Sequence, residues 1–195
     1  MSMSHLLRAG RGSVLLLMLA LGACASGAVP GAMVPPISPD TVLASGSQLQ
    51  RAVGVGTVDG GRETNPLLTS QVSSEAFAQA LRQSLATHAM LATGSGIYRL
   101  DASLSDLSQP LAGFNMEVKA RVQYRLTRLS DGALVWEREI ANAFTADFSS
   151  AYYGVERLRL ANEGAIRENI RQFLAALIAE EARNPAAFAG PRPIS

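Results

Sequence analysis

From Val118 to Leu126 the chain alternates without a break. Val118, Ala120, Val122, Tyr124 and Leu126 interleave with Lys119, Arg121, Gln123 and Arg125. A period of two sends one set to a buried sheet face and the other into water. A sheet wetted on one side is characteristic of antiparallel pairing. This strand therefore demands a sheet with one bare face, and something else in the chain must cover the other.

A strand rich in alternating residues follows it, after Ser130-Asp131-Gly132. A three-residue loop ending in a left-handed glycine is a favoured hairpin connection. That register sets Leu126 opposite Trp136, Val122 opposite Ile140 and Arg125 opposite Glu137. A two-residue Asp-Gly loop would set Arg125 against Arg138 and Leu126 against Glu137. Cross-strand pairing prefers opposite charges and matched apolar groups, which selects the three-residue loop. The choice leaves Arg138 beside Tyr124 on the apolar face. Arg138 is then either an edge residue that snorkels or a cation facing a ligand.

Earlier in the chain, Leu49, Arg51, Val53, Val55 and Thr57 mark one side of a first strand, broken by Asp59-Gly60-Gly61. Ser73 can cap a helix with Glu75 in its first turn. Phe77, Ala80, Leu81, Leu85 and His88 follow at helical spacing. Gly94-Ser95-Gly96 ends that unit, and Tyr98, Leu100, Ala102 and Leu104 alternate as a second strand. A last helix runs from about Val155 to Glu181. Its stripe is Ile166, Ile170, Phe173 and Leu177, with Leu174 and Ile178 beside it and Arg167, Glu168, Arg171 and Gln172 off it. Gly164 inside it marks a close approach to a strand or another helix. The expected fold class is α+β: a two-layer sandwich in which a mostly antiparallel sheet carries two helices on one face, in the order β-α-β-β-β-α.

The N-terminus has a different grammar. Arg8 and Arg11 precede an apolar run from Val14, which closes on Leu21-Gly22-Ala23-Cys24. Positive flank, apolar core, small residues and cysteine make a secretory signal ending in a lipobox. The run is too short for a bilayer span of about 20 residues. Cleavage before Cys24 would let the only cysteine of the chain carry lipid. Simple secretion with cleavage after Ala25 is the competing reading. Each buried acyl methylene contributes about 0.8 kcal/mol, so two or three chains anchor a protein permanently. The expected organisation is a signal peptide over 1–23, lipidated Cys24 with a Pro/Gly/Ala-rich tether over 24–46, one domain over 47–183 and a flexible tail over 184–195. Residues 25–46 hold four prolines and a single charge, Asp40. Such a stretch lacks the apolar surface to offset its ordering entropy, and could extend on the order of 70 Å.

The whole chain has 17 basic and 16 acidic residues. Loss of the first 23 residues removes two arginines and no acid, leaving 15 against 16. That balance gives no electrostatic case for nucleic acid. His5 leaves with the signal, so His88 is the mature chain's only histidine, and zinc or copper sites are hard to build. No cofactor, metal or catalytic residue is expected. Val53-Gly54-Val55-Gly56 lacks the ends of a phosphate loop and reads as a strand needing close backbone approach. Gly94-Ser95-Gly96 reads as a turn rather than a nucleophile elbow. His88 reads as a core or rim histidine. Asp101 and Asp106, five positions apart, should point to opposite faces of a continuous strand.

The element order, with the stretches Val53 to Asn65, Leu81 to Met90, Val118 to Glu139 and Leu160 to Ala179, resembles the YajG-type outer-membrane lipoproteins. More remotely the chain is similar to LptE-type lipoproteins and to auxiliary lipoproteins of envelope ABC transporters. The lipobox resembles that of diderm bacteria, in which an aspartate after the cysteine favours inner-membrane retention. Ala25 stands there, so the resemblance implies the outer membrane, facing the periplasm. It offers no catalytic residues. The expected function is non-enzymatic: a lipid-anchored envelope protein assisting outer-membrane assembly, lipid or lipopolysaccharide transport, or a transporter complex. Expected partners are the membrane itself and an outer-membrane barrel, an envelope transporter or a lipid. The alternative is a membrane-tethered enzyme acting on lipid or glycan through an unrecognised site. Candidate partner-binding residues are Lys119, Arg121, Gln123, Arg125 and Arg138.

Overall fold

Alternation and helical spacing are realised as four strands and two long helices in a computed structural model that describes residues 25–65, 69–110 and 113–189. The strands are β1 (Val53–Asp59), β2 (Tyr98–Ser108), β3 (Met116–Arg128) and β4 (Leu134–Ala146); the helices are α1 (Ser74–Thr87), α2 (Gly154–Arg183) and a short α3 (Pro185–Phe188). The sheet order is β1-β2-β3-β4. β1 lies parallel to β2, which requires a crossover, and α1 supplies it. The two remaining pairings are antiparallel. The α+β expectation, with helices on one face of a mostly antiparallel sheet, holds.

The hairpin register follows the pairing rule. Leu126 faces Trp136, Val122 faces Ile140, Arg125 faces Glu137 and Tyr124 faces Arg138. Gly132 takes φ 71° at the turn. Ser73 caps α1 by accepting from the Ala76 N–H at 3.1 Å.

The covered face is the core. α1 packs over β1, and α2 crosses β3 and β4. Tyr124 stacks on Phe173 with ring centroids 4.2 Å apart, and Trp136 meets the same ring at 5.8 Å. Such pairs add about 0.5–1.5 kcal/mol beyond the area they bury. The buried Tyr124 hydroxyl donates to Asn169 Oδ1 at 2.8 Å. Asn169 Nδ2 in turn donates to Ile140 O and to Asn142 Oδ1, and Asn142 Nδ2 donates to Ala165 O. This network satisfies the polar atoms that α2 brings against the sheet. Burial pushes the Tyr124 phenol well above its ordinary value. Gly164 does mark a close approach: a Cβ there would lie 2.3 Å from the Phe144 ring of β4.

The segment expected as a tether is instead a strap. From Ala25 it lies against the domain, with single turns at Pro30–Met33 and Pro39–Thr41. Met33 is fully buried, and Ala28 and Thr41 nearly so. The flank of α2 off the apolar stripe, where the sequence places Arg167 and Arg171, grips the strap. Val29 N–H donates to Glu163 Oε1 at 2.8 Å, and Arg167 donates to Ala32 O at 2.8 Å. Arg171 pairs with Asp40. Glu181 accepts from the Ser47 hydroxyl at 2.6 Å and from the Gln48 N–H. The composition argument fails here for two reasons. The prolines lower the entropy lost on ordering, and the strap's backbone finds charged partners that its own sequence does not reveal. The Ser38 hydroxyl, with Arg171 adding to it, holds Asp40 below the usual carboxylate range, and Arg171 does the same for Glu168.

The described part of the tail is also docked. Phe188 is buried, meets the Tyr98 ring edge-on at 6.2 Å and accepts from the Tyr98 hydroxyl. Arg128 donates to Ala187 O. Leu49 and Arg51 belong to a turn before β1 rather than to the strand, and Arg51 has φ 52°. The signal sequence and Cys24 lie outside the described residues.

Candidate functional site

The sheet's second face is bare. β3 presents Lys119, Arg121, Gln123 and Arg125 there, in the alternation that buries Val118 to Leu126 on the other side. The structure thus brings four of the five sequence-derived candidates onto one surface. β4, and β3 itself at Glu117, complete their charge balance. Arg121 pairs with Glu139 at 3.1 Å, Arg125 with Glu137 at 3.1 Å and Lys119 with Glu117 at 3.4 Å. Gln123 Nε2 donates to Glu137 Oε1 at 3.0 Å. All are exposed pairs, worth about 0–1 kcal/mol each. They hold a mixed-charge lattice rather than a basic patch.

Arg138 is elsewhere. It stands at the β4 edge on the covered side, exposed, with its guanidinium 5.7 Å from the Trp136 ring centroid. Its stem covers apolar surface while its charge reaches water, which is the snorkelling arrangement. It does not join the other four.

Toward β1 the bare face deepens into an open groove of about 470 Å³. Thr57, Asp59, Arg99, Asp101, Gln123 and Arg125 frame it. Asp101 organises one wall: it accepts from the Thr57 N–H at 2.8 Å and pairs with Arg99 at 3.0 Å. Gly56 makes room for this. A Cβ at Gly56 would fall 2.3 Å from Asp101 Oδ1, so the alternating glycines of β1 serve close approach, as their lack of phosphate-loop ends implies. Arg99, Asp101 and Thr57 were not legible as wall residues. Their placement depends on which strand β1 joins, and parallel pairing across a crossover has no local sequence signal.

One expectation about this face is corrected. A register shift between Leu104 and Asp106 puts Asp106 opposite Arg121, on the same bare face as Asp101, which lies opposite Arg125. The bulged residue Ser105 ties its hydroxyl to Arg121 O. A bulge adds one residue and so cancels the parity on which the opposite-face reading rests.

A smaller groove of about 330 Å³ lies between the strap and the end of α1, lined by Ile37, Val42, Leu43 and His88 among others. His88 is buried, as expected of a core or rim residue. Its Nδ1 lies 2.8 Å from Ser84 O, so Nδ1 carries the proton, and the buried Nε2 has no partner among the described residues. Among the described residues no group of three or more His, Cys, Asp or Glu is placed to hold a metal, and no helix is long and apolar enough to cross a membrane.

Fold and site define a single α+β domain with one helix-covered and one bare sheet face. No protein-family model matches the chain, and no curated protein matches it. Among solved structures it is similar to a Xanthomonas campestris protein of the DUF330 family, with TM-score 0.59 and 12% identity over 83% of this chain and 99% of that one. A candidate lipoprotein from Caulobacter crescentus gives TM-score 0.48 and 19% identity, over 70% of this chain and 94% of that one. At 12% identity the Xanthomonas likeness is one of fold.

Proposed function

We propose that this chain is a lipid-anchored, periplasm-facing lipoprotein of the outer membrane that acts by contact rather than catalysis. Its task is to assist outer-membrane assembly, lipid or lipopolysaccharide transport, or a transporter complex. The resemblance to YajG-type, LptE-type and transporter-auxiliary lipoproteins agrees with this reading, as does the lipobox ending at Cys24.

The observation that carries it is the contrast between the domain's surfaces. Helices cover one side of the sheet and the strap lies on those helices, beginning one residue after Cys24. The other side is left bare, with its charges set in opposed pairs around an open groove. Opposed surface pairs can be exchanged for pairs with a partner at little cost. A partner for this face therefore meets charges of both signs.

A photo-crosslinking residue in place of Arg121, in intact cells, tests the reading. An adduct with an outer-membrane barrel, a transporter subunit or lipopolysaccharide is the expected result. Absence of any envelope protein or lipid adduct from this face would overturn the contact role.

A further inference from the structure

Four large aromatic side chains stand in water at one end of the domain. Phe114 is 77% exposed, Phe148 56%, Tyr152 90% and Tyr153 61%. They come from the β2–β3 connection, from the turn Phe148–Ser150 after β4, and from the residues just before α2. They are held as a set. Phe114 meets Phe148 edge-on at 5.8 Å, and Tyr152 meets Tyr153 at 5.2 Å. Asn115 accepts from the Phe148 N–H at 3.1 Å. Arg157 is buried beneath them, donating to Ala151 O and Tyr152 O with its guanidinium 4.9 Å from the Phe148 centroid. The sequence thus spends a buried arginine on holding apolar rings outward. A clustered apolar display of this kind marks an interaction surface.

The strap says what lies against it. Its contacts with α2 advance in step along both segments: Val29 with Glu163, Ala32 with Arg167, Asp40 with Arg171, Ser47 and Gln48 with Glu181. The strap therefore runs parallel to α2. Followed back from Val29, it meets the loop before α1, where the Ala28 N–H donates to Gln71 O and Gly27 lies against Thr64; that loop is tied to the first half of α2, Ser70 O accepting from Asn162 Nδ2. Glu163 is ten residues beyond Tyr153, about 15 Å along a helix axis. Ala25, the residue after Cys24, is itself buried against the domain. A lipid on Cys24 would thus stand one residue from the fold.

We propose that the end of the domain bearing Phe114, Phe148, Tyr152 and Tyr153 is a membrane-contacting face, its rings seated in the lipid headgroup layer beside the acyl chains on Cys24. This rests on the lipid-anchor reading above. Tyrosine suits the boundary between hydrocarbon and water, and phenylalanine the acyl side of it. The charged groups closest in sequence are Asp147, Glu117, Glu156 and Arg157, three acids to one base, so ring insertion rather than attraction to anionic lipid drives the contact. The docked strap fixes the domain's orientation, with the sheet held at a set angle to the bilayer.

The test uses the lipidated mature chain carrying Tyr152→Trp, in vesicles of phosphatidylcholine or of phosphatidylethanolamine and phosphatidylglycerol, with brominated acyl chains as quenchers. The chain's single natural tryptophan, Trp136, is buried and serves as the unquenched control. Quenching at position 152 in both compositions is expected. The additional pair Phe114→Ser and Tyr153→Ser should speed transfer between vesicle populations about ten-fold or more, the equivalent of one partly inserted ring. Protein that floats with the vesicles but shows no quenching at position 152 overturns the contact face and leaves the anchor reading intact. So does burial of position 152 in a dimer of the floated protein. Protein that does not float overturns both.

Discussion

Gly164 offers a sharp test of the packing between α2 and the sheet. In a helix interior a glycine is about 1 kcal/mol less favourable than alanine, so Gly164→Ala on an isolated helix is stabilising. Here the new methyl would sit 2.3 Å from two atoms of the Phe144 ring and 2.6 Å from a third. The ring must swing outward, giving up its place under Arg167, whose guanidinium lies 5.8 Å from the ring centroid. Overpacking of this kind costs about 1–3 kcal/mol. The expected net effect is a loss of about 1 kcal/mol, which lowers Tm by about 2–4 °C for a domain of this size. In a Phe144→Ala background the clash is gone, and Gly164→Ala should then stabilise by about 1 kcal/mol. The coupling between the two positions is therefore about 2 kcal/mol, within the range seen for residues in contact. Urea unfolding of wild type, both single variants and the double variant gives the cycle, with constant m as the check on two-state behaviour. If Gly164→Ala stabilises equally in both backgrounds, the close approach does not constrain the fold and the reasoning fails.

Two further outcomes follow from the polar contacts. Asn169→Ala should destabilise by roughly 2–4 kcal/mol, because it strands the buried Tyr124 hydroxyl, Ile140 O and Asn142 together; a loss under about 0.5 kcal/mol in urea unfolding would refute the network's role. The carboxyls of Asp40 and Glu168 are held below their ordinary range in the folded state. Their contribution is complete above the unfolded carboxylate values near pH 4 and is lost as pH falls through the lower folded values. Hydrogen exchange over residues 25–46, corrected for intrinsic rate, should show the strap loosening below about pH 4 before the sheet does. Unchanged strap protection at pH 2.5 would contradict this.

Elements with an internal rhythm were legible from the chain alone. β3 alternates strictly, and charge and size matching fixed the register of its hairpin down to Arg125 opposite Glu137. Gly164 signalled a close approach because a mid-helix glycine has a thermodynamic cost that packing must offset. Of the candidate site, Lys119, Arg121, Gln123 and Arg125 could be placed on one bare face because parity decides it. Parity also misled. The bulge at Ser105 turned Asp106 to the face of Asp101, and nothing around it distinguishes a strand that bulges from one that does not. The strap was missed because its order comes from α2: Arg167 and Arg171 lie off the apolar stripe, and no spacing shows that Ala32 and Asp40 lie on them. The four exposed aromatics were missed because each stands in a connection, where spacing carries no period.

The strap gives the protein two lengths. Docked, it leaves the fold seated directly behind residue 24. A pull at that residue reaches the Ala28 bond to Gln71 and then Val29 with Glu163, followed by Ala32 with Arg167, Asp40 with Arg171, and last Ser47 with Glu181. The polar contacts yield one after another rather than together, with Met33 leaving the core between the release of Ala32 and that of Asp40. Each release frees backbone, up to on the order of 70 Å in all, while the hydrogen-bonded sheet is still unstressed. Tension applied at the N-terminus would thus draw on this stored length before it reaches the sheet.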